Sequence, residues 1–390
     1  MLNVNKILLV FCLSCFCIVA GYAQIIDIPD PNFKDALVNQ AVVDTDGDGI
    51  FDADADTNED GEIDIQEALA VEVLGLVGKQ ISSLEGLQEF VNLVEIYVGY
   101  NSLQQIEVST LTQLEVLVCS FNQIKQLDVT ANPDLIRLEL DFNQISDLDL
   151  SQNIQLERLW FTFNDISNID LSAQSSLLNL NADSNEIQEI DLSNNPLLVS
   201  LAIDNNLLSA IDLSGNPALE FVDVYGNQLT ALDLSNQSNL TLLTCLNNDL
   251  SQLNIQNGNN EQMTFFNTTN NPNLLCIQVD DQAYAEAQSD WLVDSGVAFS
   301  EDCGFLGLEN SAFSNWNIVP NPSDGLVQVQ YGFEHSEPLR WQLFDASGRI
   351  VQQFEGLPTQ IDLSSYQAGI YFVKATDALG RLSHQKLVKR

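Results

Sequence analysis

Positive charge is what this sequence has least of. Its 390 residues carry 13 Lys and Arg against 55 Asp and Glu, and no Lys or Arg stands between Arg158 and Arg340. A field of that sign repels nucleic acid and anionic membranes, so neither is expected as a partner. Histidine is almost missing too. His335 and His384 both lie near the C-terminus, so a nucleophile–histidine device is not open to the rest of the chain. Long apolar runs are absent after Ile7–Ala20. That run follows Lys6 and precedes Gly21-Tyr22-Ala23, which reads as a secretory signal peptide over residues 1–23. No other segment has the length of a membrane helix, so no transmembrane span is expected in the mature protein. Cysteine is scarce once Cys12, Cys15 and Cys17 leave with the signal; Cys119, Cys245, Cys276 and Cys303 remain.

What the sequence does have is a repeat. Asparagine stands at 101, 122, 143, 164, 185, 206, 227 and 248, always 21 residues apart. Five positions before each stands Ile, Leu or Val (Ile96 to Leu243), and two after stands Leu or Ile (Leu103 to Leu250). Asn-Pro turns recur at Asn132-Pro133, Asn195-Pro196 and Asn216-Pro217. A coil that closes every 21 residues and stacks on the next one explains this; each coil buries its apolar set only against its neighbours. The pattern resembles the leucine-rich-repeat family over roughly Val73–Ile255. The resemblance implies a parallel-β solenoid over residues 73–262, with LxLxxNxL as the concave strand and extended or 3₁₀ structure on the convex side. A degenerate first coil lies at Leu74–Leu84, with Lys79 in the Asn position, and Met263–Val279 reads as a last, irregular coil. The repeated Asn is expected to tie off backbone groups in each turn. Tyr100, Phe121, Phe142 and Phe163 precede it by one and are expected to form a stacked packing ladder, with a ligand platform as the alternative.

Cys119 and Cys245 share one repeat position six coils apart. At ~4.8 Å per coil that is roughly 29 Å, against the about 7 Å that a disulfide spans. Both are expected as free core thiols. Cys276 and Cys303 flank the decaying end of the repeats, where a disulfide between them would staple a cap over residues 263–303. A short helix at Ala283–Leu292 is expected within that cap, with Trp291 facing the open end.

Upstream, Asp56–Glu67 reads DTNEDGEIDIQE. Its spacing is that of an EF-hand calcium loop: Asp56, Asn58, Asp60, the Glu62 carbonyl, Asp64 through water and Glu67 bidentate, with Gly61 at the sharp turn. Asp44, Asp46, Asp48, the Ile50 carbonyl and Asp52 repeat the scheme. Their twelfth position is Ala55, leaving Asp54 or Asp56 as candidates for the missing ligand. The loops lie too close together to hold a helix between them. They are therefore similar to tandem Asp-rich loops of thrombospondin type 3 or dockerin kind rather than to a paired sensor. Structural calcium, in a cap of residues 24–72 that includes a helix at Asp30–Val42, is the expectation.

With the strands placed as above, the concave face presents Tyr97, Glu139, Trp160 and Tyr225, with Arg137 and Arg158 alongside. A Trp flanked by Arg and carboxylates is the composition of a protein-binding hot spot. A surface glycan is the alternative ligand, through Trp160, Tyr97 and Tyr225; a third reading is a calcium-stabilised structural element of the cell envelope. Carboxylates on adjacent coils, such as Asp183 and Asp204, would stand only ~5 Å apart on a shallow face. Catalysis is not expected there.

The tail changes character. Val319-Pro-Asn-Pro322, Gly325, Leu343–Ile350, Ile361-Asp-Leu-Ser364, Gly369–Lys374 and Lys386-Leu-Val-Lys389 are short alternating strands with turn signals, a β-sandwich pattern. They closely resemble the type A C-terminal sorting domain of the Bacteroidetes type IX secretion system, here residues 317–390 after a linker at 304–316. That resemblance implies export across the outer membrane by the type IX machinery, with the passenger secreted or held at the cell surface.

Overall fold

The computed structural model describes residues 24–303, 316–331, 340–345, 349–355, 358–376 and 382–390. The signal peptide expected over 1–23, and the linker at 304–316 apart from Trp316, lie outside the described residues. The chain divides into two compact units, 1–302 and 303–390.

The first unit is a parallel-β solenoid. Ten three-residue strands, from Val73–Gly75 through Glu95–Tyr97, Val116–Val118, Arg137–Glu139 and Arg158–Trp160 to Phe265–Asn267, form one sheet in chain order, broken only where Ala231–Asp233 and Gln252–Asn254 join a second sheet. Each strand is parallel to the next, and through most of the array the register advances by the repeat, as in Leu117 beside Leu138 and Leu138 beside Leu159. Alternation does the sorting. Leu138 and Leu140 point inward and are fully buried, while Arg137, Glu139 and Asp141 share the outer face. The second, four-stranded sheet contains Ala231–Asp233, Gln252–Asn254, Cys276–Gln278 and Ala298–Ser300. Earlier coils run extended at that position. Their Asp-Leu-Ser runs close as Asx turns, Ser151 N–H donating to Asp149 and Ser172 N–H to Asp170 at 2.9 Å.

Two buried amide ladders hold the coils in register. In the expected one, Asn143 Oδ1 accepts from the Ile124 N–H of the previous coil, and its Nδ2 donates to the Cys119 and Leu140 carbonyls. The second was legible only in part. Asn132, Asn153, Gln174, Asn195, Asn216 and Gln237 are all fully buried, and each donates to carbonyls of the coil before it. Three of them read as Asn-Pro turns in the sequence; Gln at 174 and 237 hid the ladder.

The expected aromatic ladder is stacked, with ring centroids 4.2, 4.3 and 4.5 Å apart from Tyr100 through Phe121 and Phe142 to Phe163. It is not core packing. Tyr100, Phe142 and Phe163 are 60%, 41% and 51% exposed. All four residues have positive φ, from 53° to 59°. That left-handed conformation costs an ordinary residue about 1–2 kcal/mol.

Both ends of the solenoid are covered, and both terminal helices are shorter than the sequence predicts. The first is Pro31–Asn39, capped by Asp30. It stops because the chain turns to cover the sheet edge: Val43 bridges Leu74, and Gly75 N–H donates to the Val42 carbonyl at 2.7 Å. The last is Gln282–Ala287. Leu292 instead bridges Asn267 and extends the long sheet, while Trp291 packs on Phe266 at 4.6 Å and Phe299 at 5.7 Å. Cys276 and Cys303 are each disulfide-bonded, and Cys119 and Cys245 are free and buried. Among the described residues no helix is long and apolar enough to cross a membrane.

The second unit has two antiparallel sheets. One orders Trp316–Val319, Leu326–Tyr331 and Gln360–Asp362; the other orders Ile350–Glu355, Arg340–Asp345, Gly369–Thr376 and Leu382–Lys389. Val327, Val329, Trp341, Leu343, Ile361, Val373 and Leu387 from both sheets make one core.

Candidate binding face, metal loops and family

On the outer face of the long sheet, Trp160 pairs in register with Glu139. Glu139 is 6% exposed. Two guanidinium groups serve it: Arg137 Nε donates to Glu139 Oε1 at 2.7 Å, and Arg158 Nη1 lies 3.8 Å from the same oxygen. The Arg158 guanidinium also lies over the Trp160 ring, 5.0 Å from its centroid. These four residues form one cluster. Tyr97 and Tyr225 share the face but stand three coils to either side of Trp160, about 14 Å away at ~4.8 Å per coil. The Tyr97 hydroxyl donates to Glu95 at 2.6 Å. Burial, then that bond, pushes the phenol up to about 12.

Beyond the cluster the face turns acidic. Asp204 N–H donates to Asp183 Oδ1 at 2.9 Å. Burial first, then the neighbouring Asp204 carboxyl, pushes Asp183 up to about 8. Asp141 and Asp223 are also raised, mainly by burial. A carboxyl with a raised folded pKa contributes stability that is whole below its unfolded value of about 4 and is lost as pH rises through about 8. Asp170, Asp191 and Asp212 act in the opposite sense: the hydroxyls and then the N–H groups of Ser172, Ser193 and Ser214 hold them low, so their contribution fades in acid. The midpoint of thermal unfolding should therefore peak near pH 5 and fall toward pH 9, by the equivalent of about 1–2 kcal/mol after discounting for partial exposure. Asp183→Asn should flatten most of that alkaline limb; an unchanged limb would mean Asp183 ionises normally.

The two Asp-rich loops share one scaffold. Asp44 Oδ2 accepts from Gly49 N–H at 2.9 Å, as Asp56 Oδ2 accepts from Gly61 N–H at 2.8 Å. Asp48 takes the Ile50 N–H, as Asp60 takes that of Glu62. Asp44, Asp46 and Asp48 bring carboxylate oxygens within 4.8 Å of one another. Asp52 instead accepts from the Thr45 N–H and hydroxyl. Asp56, offered above as a stand-in ligand for the first loop, is committed to its own loop. Glu67 reaches back from the short helix Ile65–Ala68, accepting from Asn58 N–H at 3.1 Å and from Asp64 N–H at 3.0 Å, the latter in a capping box with Asp64. An all-oxygen donor set of this kind fits a hard divalent cation.

Two residues that organise this end escaped the sequence reading. Asp30 caps its helix and also accepts from the N–H groups of Ser82 and Ser83 at 2.8 and 3.0 Å, pinning the helix to the first coil. Phe51, from the first loop, lies flat against Gly75; a Cβ there would fall 2.2 Å from the ring. Its ring also meets Tyr97 edge-on, with centroids 6.2 Å apart. The one readable signal was Gly75 itself, a glycine in an outward strand position.

Residues 317–390 match the family model described as the secretion system C-terminal sorting domain. The tail is a secretion sorting domain of the type IX kind, and the 21-residue parallel coils before it have the fold of a leucine-rich-repeat solenoid. No curated protein matches this repeat protein. Among solved structures it is similar to the functional domain of InlJ from Listeria monocytogenes, described as including a cysteine ladder. That likeness covers 95% of this chain and 99% of that one, at 19% identity and TM-score 0.49. Internalin C2 of the same organism matches 57% of this chain over 94% of its own, at 22% identity and TM-score 0.42. A Leptospira interrogans LRR protein matches 55% over 75%, at 16% and 0.39. Within the sorting domain, Val388 N–H donates to Asn321 Oδ1 at 2.9 Å, and Ser323 N–H donates to the Val388 carbonyl at 2.8 Å. The first sequence landmark is thus tied to the last strand. Lys389 is buried, and its ammonium donates to the Leu363 carbonyl at 2.6 Å and to those of Ser364 and Tyr366.

Proposed function

We propose that the repeat array is a protein-binding scaffold, carried by its sorting domain to the outer surface of the cell or beyond, and that Trp160 is the centre of its contact face. The carrying observation is the Trp160–Arg158–Glu139–Arg137 cluster. A large aromatic side chain and two guanidinium groups are held ready by a buried carboxylate on an open sheet face, which is the composition of an interface anchor. Arg158 occupies one face of the indole, which favours a protein ligand over sugar stacking. The role assigned is binding, not catalysis. We further assign calcium to both Asp-rich loops as a structural ion: Asp44, Asp46 and Asp48 would hold one, and Asp56, Asn58, Asp60 and Glu67 the other. The ion would neutralise crowded carboxylates and fix the loops against the first coil.

Crosslinking with surface-exposed extracts should capture a polypeptide on the full chain, and Trp160→Ala should weaken capture at least tenfold, the usual loss for an anchor of this kind. Trp160→Phe should retain part of it. Equal capture by Trp160→Ala would exclude this face, and capture of oligosaccharides on a glycan array in place of protein would favour the other ligand class.

A further inference from the structure

The aromatic ladder lies outside the hydrophobic core of the solenoid. Tyr100, Phe121, Phe142 and Phe163 occupy the residue before each ladder Asn, and the backbone there is left-handed in every coil that follows. Later coils fill the same position with Ser184, Asn205, Gly226 and Asn247, at φ of 53°, 51°, 66° and 53°. Asn and Gly enter this conformation readily; Phe does so under strain. The solenoid keeps the same geometry with either kind of residue. Strain maintained at four successive coils, with Tyr100, Phe142 and Phe163 each more than two-fifths exposed, marks a surface kept for contact rather than for packing.

Geometry narrows the occupant. Rings stacked at 4.2 to 4.5 Å spend their faces on one another and present edges. A sugar needs a ring face; aliphatic side chains need only apolar area. Beside the ladder, on the outer face of the strands, run Gly99, Ser120, Asp141 and Thr162, then Asp183 and Asp204 where the aromatics stop. The strip is therefore apolar and nearly neutral over its first coils and acidic over the next, in a stretch of chain from 159 to 339 that has no cation of its own. We infer that the ladder is a docking rim for an extended segment of a partner protein, apolar where it meets the rings and basic where it runs on over the acidic coils around Asp204. This rests on reading the solenoid as a binding scaffold, but not on Trp160.

The test uses the full chain and the variant Phe121→Asn/Phe142→Asn/Phe163→Asn, which installs the residue that positions 205 and 247 already carry. Probes are a capped decapeptide of alternating leucine and lysine, its serine–lysine counterpart of equal charge, and a hexameric β-glucan. Leucine–lysine should bind the native chain at least tenfold more tightly than serine–lysine. The variant should bind both peptides at the weaker level, and its thermal midpoint should equal or exceed the native one. Trp160→Ala should leave leucine–lysine binding within about twofold, which separates failure here from failure of the Trp160 contact. A lowered midpoint in the triple variant would make the ladder a packing device. Equal affinity for the two peptides, or ladder-dependent binding of the glucan, would also overturn the assignment.

Discussion

Deleting residues Ser314–Arg390 should leave the repeat protein in the periplasm, with surface signal reduced at least tenfold while total protein is unchanged. The expectation rests on the match of residues 317–390 to the sorting family and on the independence of that unit, which has its own core. A deletion removes signal and fold together, so a point change is the sharper instrument. Lys389→Met keeps the length and most of the aliphatic stem of the side chain, but strips a donor from the carbonyls of Leu363, Ser364 and Tyr366. Losing a buried charged donor to several acceptors costs about 2–4 kcal/mol. A domain of this size holds only about 5 kcal/mol in total. The variant domain should therefore populate its unfolded form, and export should fall with it. Normal surface display of the truncated chain would rule out a sorting role for this segment. Normal display of Lys389→Met, with the domain unfolded by circular dichroism, would show that a linear signal is read instead.

How much of this was legible beforehand follows from which interactions repeat. The solenoid was legible because every coil solves one packing problem with the same residues, so Leu138, Asn143 and Ile145 recur at 21-residue spacing and need no distant partner. The sorting domain was legible through local turn and strand signals such as Val319–Pro322 and Gly369–Lys374. Contacts made once were not. Asp30 takes the Ser82 and Ser83 N–H groups across the sequence, and nothing around Asp30 announces it. Phe51 reads as an ordinary apolar residue of the first Asp-rich loop until Gly75 is seen beneath it. The aromatic ladder was readable as a row, but its exposure was not. Burial there depends on the left-handed φ before each Asn, which turns the side chain away from the core, and spacing alone does not encode that. On the outer face of the long sheet the expected rows are in place, while side-chain reach decided that Arg158 joins Trp160 and that the two tyrosines stand apart.

Chelating calcium should loosen the N-terminal end of the solenoid and little else. The first loop gathers the Asp44, Asp46 and Asp48 carboxylates within 4.8 Å of one another, the second folds Asp56 around the Gly61 N–H in the same way, and neither loop contains a Lys or Arg. Loops of extracellular modules bind calcium at about 10⁻⁴–10⁻³ M. At ten times Kd, one site adds about 1.4 kcal/mol, and two sites about twice that. Nearest-neighbour coupling confines the loss to coils next to the cap. Phe51 makes the route specific: the first loop carries the ring that lies on Gly75 and meets Tyr97, so loosening it uncovers the first strands of the long sheet. Hydrogen exchange in EGTA should therefore rise mainly across residues 44–100, and the environment of Tyr97 should change with it. Glu67→Ala should reproduce the second loop's share, since it removes two oxygens and the capping-box contact to Asp64. Asp48→Asn should reproduce the first loop's share, including the change at Tyr97. Exchange that spreads evenly over all coils would contradict the local coupling. Identical exchange and melting with and without EGTA would make both loops an acidic surface with no ion to hold.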